Sequence, residues 1–354
     1  MAKSKKTKIT ESFLPNDSEE KAYFPNKKKI DGELSTKRSK FRRSGHLTDQ
    51  ILKHSYKGEN LEIAYDSLND KTKQALLESN VERTHIIEGI RLSPSEQKII
   101  DSLCKILSER LLKNKDTNKS KYLGNINYEL VDYGSEISTP APKLSFSIYE
   151  LTQEYKGNKT ISGKDVENVS FILQELDKKR FLLSYIETTH QKNGNRLERK
   201  IEDFKKLIHI VKISETLYDN KNIELHKKED LIILLSPIFI RQIDNKYIQY
   251  PGDINRRTVI AYGSHNVSEA VFRLRDYLMR EMSNKRYEST MSLDKFYWML
   301  NDKWMKEGRK KKTKEYADKA IETMKTLGLL QEMAFEKLDS GEEKITFFLN
   351  KNWE

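Results

Sequence analysis

The chain has 354 residues, 36% hydrophobic and 34% charged, and a net charge of +11 at pH 7. No run of 18 apolar residues occurs, which excludes a spanning helix, and the single cysteine, Cys104, excludes an internal disulfide and a multi-cysteine zinc site. The basic balance favours a polyanion as partner, nucleic acid or an anionic membrane surface, and the length suits two ordinary domains and a tail.

Met1-Ala2-Lys3-Ser4-Lys5-Lys6 has no apolar stretch behind it, so a soluble, cytoplasmic protein is expected. Residues 1–46 carry 13 Lys/Arg against 6 Asp/Glu and show no apolar periodicity. They read as a disordered basic tail, either solubilising or a non-specific DNA arm. Residues 47–84 read as a linker with short helices near 49–54 and 70–77.

Ser93-Pro94-Ser95-Glu96 offers an N-cap, a proline at the first helical position and a capping-box glutamate. Behind it Ile99, Ile100, Leu103, Ile106, Leu107 and Leu111 share one face, predicting a helix over about 95–113. Cys104 falls among them and reads as core. Pro140 and Pro142 mark a loop. A short helix follows over 147–155, and Ser162 caps another to about 178, with Val166, Val169, Ile172, Leu173 and Leu176 inward. Residues 181–188 read as a strand, Asn193-Gly194 as a turn, and 207–217 as the returning strand. A further strand pair is expected at 223–225 and 231–235, a helical turn after Ser236-Pro237, and a break at Tyr250-Pro251-Gly252.

The same order then recurs: a helix over about 268–283, one capped by Ser292, a third over about 313–326, and a hairpin of 329–336 and 344–349 turning at Asp339-Ser340-Gly341. At an offset of 148, Val169, Ile172, Leu173, Leu176, Phe181 and Leu182 align without gaps with Ala317, Ala320, Ile321, Met324, Leu329 and Leu330. Three helices and a hairpin, twice, predict an α+β, helix-rich fold of two tandem winged-helix domains, 85–250 and 251–354, behind the basic tail.

A winged helix offers its third helix to the major groove and its hairpin to the neighbouring backbone. In the C-terminal domain Arg309, Lys310, Lys311, Lys312 and Lys314 crowd the start of that helix, where unpaired N–H groups already favour phosphate. Lys319 and Lys325 share its outward face with Glu315, Asp318 and Glu322. In the N-terminal domain the candidate DNA contacts are Lys164 and Asn168 on the helix and Lys192, Asn193 and Arg196 on the hairpin. The alternative for the C-terminal residues is a solvated helix face with a basic loop, against which DNA contact is preferred; the N-terminal unit reads equally as a protein-binding module.

Enzyme signals are weak, and no catalytic residue, metal or cofactor is expected. None of the seven histidines lies two residues from another, so no His-x-His metal pair exists. Gly157 to Gly163-Lys164-Asp165 is one residue too long for a phosphate loop and has Asp where Ser or Thr belongs. Phe296, Tyr297, Trp298 and Trp304 read as core before they read as a stacking platform.

The element order, with Ile87-Glu88-Gly89-Ile90-Arg91-Leu92-Ser93-Pro94-Ser95-Glu96-Gln97-Lys98 at the first helix and Leu231-Ile232-Ile233-Leu234-Leu235-Ser236-Pro237-Ile238-Phe239 between domains, resembles the tandem winged-helix, iteron-binding plasmid replication initiators over residues 85–350. The resemblance implies binding of double-stranded origin repeats, opening of an adjacent AT-rich segment, recruitment of host helicase machinery, a monomer–dimer equilibrium with autorepression, and no membrane partner. A transcriptional regulator of a mobile element is the alternative expectation.

Overall fold

The computed structural model describes residues 40–53, 68, 70–78, 89–113, 128–131, 139–157, 160–190, 194–218, 224–241, 243 and 245–353. The architecture is α+β. The first elements are strand β1 (Lys40–Ser44) and helices α1 (Gly45–Leu52), α2 (Asp70–Glu78) and α3 (Pro94–Lys113). Residues 40–46, expected within a disordered tail, are therefore folded, and Phe41 and Leu47 are buried. The Lys-x-Arg-Arg run hides an inward alternation of Phe41 and Arg43. The remainder of the expected tail, residues 1–39, lies outside the described residues.

Helix α3 begins at the proline and closes its capping box: the Glu96 carboxylate accepts from the Ser93 N–H at 2.8 Å, and the Ser93 hydroxyl accepts from the Glu96 N–H at 3.3 Å. Ile99, Ile100, Leu103, Cys104, Ile106 and Leu107 are all buried, and burial pushes the Cys104 thiol pKa up. Next come β2 (Tyr128–Val131), β3 (Thr139–Phe146), α4 (Ile148–Lys156) and α5 (Gly163–Lys178). The expected loop at Pro140 and Pro142 is instead part of β3. Both prolines lie ahead of the stretch that pairs with the next neighbour, which begins at Lys143, so their missing N–H groups leave that ladder intact. Helices α3, α4 and α5 pack mutually as a first trio.

Strand β4 (Arg180–His190) turns through Gly194, at φ +83°, into β5 (Arg196–Lys206). The return strand is thus 196–206 and not 207–217. Its outer half is polar and exposed, so it carries no apolar alternation to read. Residues 208–218 form a separate strand, β6 (Ile208–Tyr218), paired with β7 (Glu224–Leu235). The expected strand pair at 223–225 and 231–235 is this one long strand, whose charged middle breaks the pattern. The antiparallel order β2-β3-β7-β6 makes one sheet; β4 and β5 make another. A 3-10 turn (Pro237–Phe239) leads to β8 (Tyr247–Pro251), so the expected break at Tyr250-Pro251 is the end of a strand, paired antiparallel with β1.

After α6 (Ile254–Tyr262) come α7 (Glu269–Ser283), β9 (Glu288–Ser292), α8 (Leu293–Leu300), α9 (Asp302–Lys306), α10 (Lys310–Thr326), β10 (Leu330–Lys337) and β11 (Glu343–Leu349). Helix α10 starts three residues before its expected start, taking Lys310–Lys312 into its first turn. Helices α7, α8 and α10 pack as a second trio, and β9 joins the hairpin in the order β10-β11-β9. All twelve residues of the aligned repeat are buried. Phe296 is core against Phe347, with ring centroids 5.3 Å apart.

The trios meet at a ring of buried charge. Arg43 reaches Asp101 of α3 at 2.8 Å and Asp276 of α7 at 2.7 Å; Arg275 of α7 reaches Asp101 at 2.8 Å and Asp276 at 2.9 Å. All four side chains are at most 1% exposed. Burial alone lowers a guanidinium pKa, but Asp276 and Asp101 outweigh it and hold both arginines above their ordinary value. The remaining polar atoms are met by Thr48, Gln97, Tyr250 and Asn255, the condition under which buried ions are tolerated.

Candidate nucleic-acid interface

The two third helices, α5 and α10, begin in opposite ways. At α5 the Ser162 hydroxyl accepts from the Asp165 N–H at 3.3 Å, and the Asp165 carboxylate accepts from the Ser162 N–H at 3.0 Å. Lys156 sits 2.8 Å from Asp165, and its hydrogen bond, with those from Ser162, holds that carboxyl at about 2. The Gly163-Lys164-Asp165 run is accounted for by this cap. Helices α3, α4, α8 and α9 are likewise capped by Ser93, Ser147, Ser292 and Asn301.

Helix α10 has Arg309 at its N-cap with no side-chain hydrogen bond, and no acidic residue in its first turn. Lys310, Lys311 and Lys312 occupy that turn, and they and Lys314 are exposed. The positive end of the helix dipole and these cations repel one another, and the first N–H groups lack a side-chain acceptor. Both defects are relieved by one anion at this end. The local counter-charges are few: Arg309 lies 3.1 Å from Glu307 and Lys310 3.7 Å from Asp294.

Sequence reasoning missed what holds this turn in place. The Lys312 ammonium stands 4.6 Å from the Trp304 ring centre, and Trp304 meets Tyr316 edge-on at 4.8 Å. Trp304 thus braces α9 against α10. Its place among neighbouring aromatics makes it read as part of one cluster with Phe296, whereas Phe296 meets Phe347 of β11 and Trp304 meets Tyr316 of α10.

Of the other candidate residues, Lys319 is exposed, 2.9 Å from Glu322, and Lys325 is exposed at the far end of α10, about 20 Å along the axis from Lys311. Lys164 and Asn168 are exposed on α5. Arg196 is exposed and paired with Glu198. Lys192 and Asn193 lie outside the described residues. The structure therefore gathers Arg309, Lys310, Lys311, Lys312 and Lys314 at one helix end and spreads the rest over two helices and a hairpin.

The hairpins reverse the charge of their helices. Residues 180–206 hold seven Lys/Arg and four Asp/Glu, while 330–349 hold two and five. The first hairpin suits a phosphate backbone; the second does not. Among the described residues no helix is long and apolar enough to cross a membrane, and no group of His, Cys, Asp and Glu is arranged to hold a metal ion.

No family model matches the chain, and no curated protein matches it. Among solved structures, the crystal structure of domains 2 and 3 of RctB is similar at a TM-score of 0.37 and 12% identity, covering 72% of this chain and 81% of that one. At that TM-score the likeness adds nothing to what this chain's own residues support.

Proposed function

We propose that the chain is a sequence-specific double-stranded DNA-binding protein of two tandem winged-helix domains, 85–250 and 251–354, that initiates replication at a plasmid origin bearing repeated sites. The observation that carries DNA binding is the N-terminus of α10: no side-chain cap, no first-turn acid, and five cations within six residues. Helices α1, α6 and α7 also start without a side-chain cap, so it is the crowding of five cations on an uncapped start that sets α10 apart, and departures from local rules concentrate where function demands them. The winged-helix reading is supported by the order helix, strand, helix, helix, hairpin, met from α3 with the short β2 inserted and again from α7 with the short α9 inserted. Initiation in particular, with autorepression, helicase recruitment and a monomer–dimer equilibrium, is what the family resemblance implies.

Binding energy and not covalent chemistry drives such a protein, so supercoiled origin DNA is expected to stay un-nicked with divalent metal present. Bending and opening the duplex are offset by many phosphate contacts. The test is fluorescence anisotropy on duplexes tiled across the DNA flanking the gene, at several salt concentrations. Repeat-specific, steeply salt-dependent binding is expected. Replacing Lys310, Lys311 and Lys312 together by alanine flattens the plot of log affinity against log salt by about 0.9 for each phosphate no longer neutralised. An unchanged slope removes this helix end from the interface. A single inverted repeat at a promoter, with no clustered direct repeats, would point instead to a transcriptional regulator.

A further inference from the structure

The first trio has a different chemistry on its outward face. Phe171 stands on α5 with 62% of its surface exposed. It is flanked one helical turn to either side by exposed Asn168 and Gln174, which puts the three on one strip. The acids of α5 lie mostly off that strip or are matched: Asp165 by Lys156, Glu175 by Lys178 at 2.6 Å, and Asp177 by Lys206 at 3.5 Å and by the Ile210 N–H at 3.2 Å. What remains outward is a neutral strip, with Lys164 and Glu167 at its N-terminal end.

The repeat shows where that strip lies relative to the other candidate site. At the offset of 148, Lys164 and Glu167 correspond to Lys312 and Glu315, so the two helices start their outward faces with the same pair. Asn168, Phe171 and Gln174 then stand where α10 has Tyr316, Lys319 and Glu322. Charge is replaced by amides and one aromatic ring, and the hairpin that follows α5 is the basic one.

Amides beside an apolar ring match a base edge better than they match a phosphate. Asn and Gln pair with adenine in the major groove, and the thymine opposite offers its 5-methyl group to an apolar side chain such as Phe. We propose that α5 reads A·T-containing sequence in the major groove, with Phe171 against a thymine methyl and Asn168 and Gln174 on the neighbouring base edges, while the basic hairpin of 180–206 holds the backbone. This rests on the DNA-binding reading above and names the specificity determinant within it.

The test uses the full chain and duplexes selected by it from a random pool. Each thymine of the selected duplex is replaced in turn by deoxyuridine, which removes only the methyl. The wild-type chain is expected to lose about fourfold in affinity at one position, the worth of one buried methyl. Phe171→Ala is expected to lose on the order of tenfold on the thymine duplex, to be indifferent to deoxyuridine at that position, and to keep the wild-type salt slope, since Phe171 neutralises no phosphate. Its urea midpoint, unchanged for so exposed a side chain, shows that it is folded.

If Phe171→Ala keeps full affinity and the same response to deoxyuridine, the assignment to Phe171 is wrong while DNA binding stands. If affinity is kept and sedimentation shows a wild-type dimer dissociating in the variant, Phe171 is a self-association residue and the assignment is equally wrong. If the wild-type chain selects no duplex, the DNA-binding reading itself fails and takes this one with it.

Discussion

The two trios share a helical core and differ in how their hairpins are anchored. In the second, the strand between its first two helices, β9, pairs with β11, so helices and hairpin belong to one closed arrangement. In the first, the matching strand β3 pairs with β7, and β4–β5 stands as its own sheet. That hairpin is held from outside. Leu182 and Phe204 pack with Leu68 and Leu76, the latter on α2. The Gln50 side chain of α1 both donates to the Ser184 carbonyl at 2.7 Å and accepts from its N–H at 3.2 Å, as a neighbouring strand would. One trio thus completes itself locally, and the other borrows from segments far away in sequence. A repeat in sequence is not a repeat in dependence.

The strongest way to break this comparison is Asp276→Ala. If the trios are separable, only the second suffers. If the charge ring joins them, the guanidiniums of Arg43 on β1 and Arg275 on α7 each lose a partner while still held to Asp101 of the first trio, and the described fold loses about 3–5 kcal/mol in one cooperative urea transition. Two resolved transitions would show that the trios unfold apart.

A smaller effect sharpens the difference between hairpins. Gln50→Ala leaves the Ser184 N–H without its side-chain partner and its carbonyl with that of Lys53 alone, at a cost of about 1–3 kcal/mol. Amide exchange is expected to quicken along β4 and β5 and to stay unchanged along β10 and β11. Equal quickening in both hairpins would mean that α1 supports the whole fold and not this hairpin.

The smallest effect concerns the helix starts. Ser162→Ala removes a working cap from α5 and costs about 1 kcal/mol. Arg309→Ser supplies a cap that α10 lacks and is expected to raise stability by up to ~1 kcal/mol while weakening DNA binding. Asp165 sets the pH limit of the first cap. Its folded value of about 2 lies below its ordinary 3.8, so its contribution is complete above the ordinary value and is lost as pH falls through about 2. Stability of Ser162→Ala relative to the parent, followed by urea from pH 5 to pH 2, checks both the size and that window.

What the sequence made legible was whatever short-range rules encode. Ser93-Pro94-Ser95-Glu96 announced α3, Ser162 announced α5, and the six aligned apolar pairs marked matching helix–strand junctions. What it hid depended on distant partners. Strand β1 looked like tail because Arg43 is ordinarily a surface residue; its carboxylates lie 58 and 233 positions away. Strand β5 is polar because its outer half faces solvent on both sides. Within the candidate site, the cation cluster of 309–314 was visible as composition. The missing cap beneath it and the Trp304–Lys312 pairing were not, because each is a matter of where a helix begins and what it packs against.

The charge ring has a consequence for descent. Each carboxylate serves two guanidiniums and each guanidinium two carboxylates, so no member can be exchanged without stranding charge on the other side of the ring. Related chains are therefore expected to vary at positions 43, 101, 275 and 276 jointly or not at all. An aligned set of homologues in which one of the four drifts freely would show that the ring is dispensable.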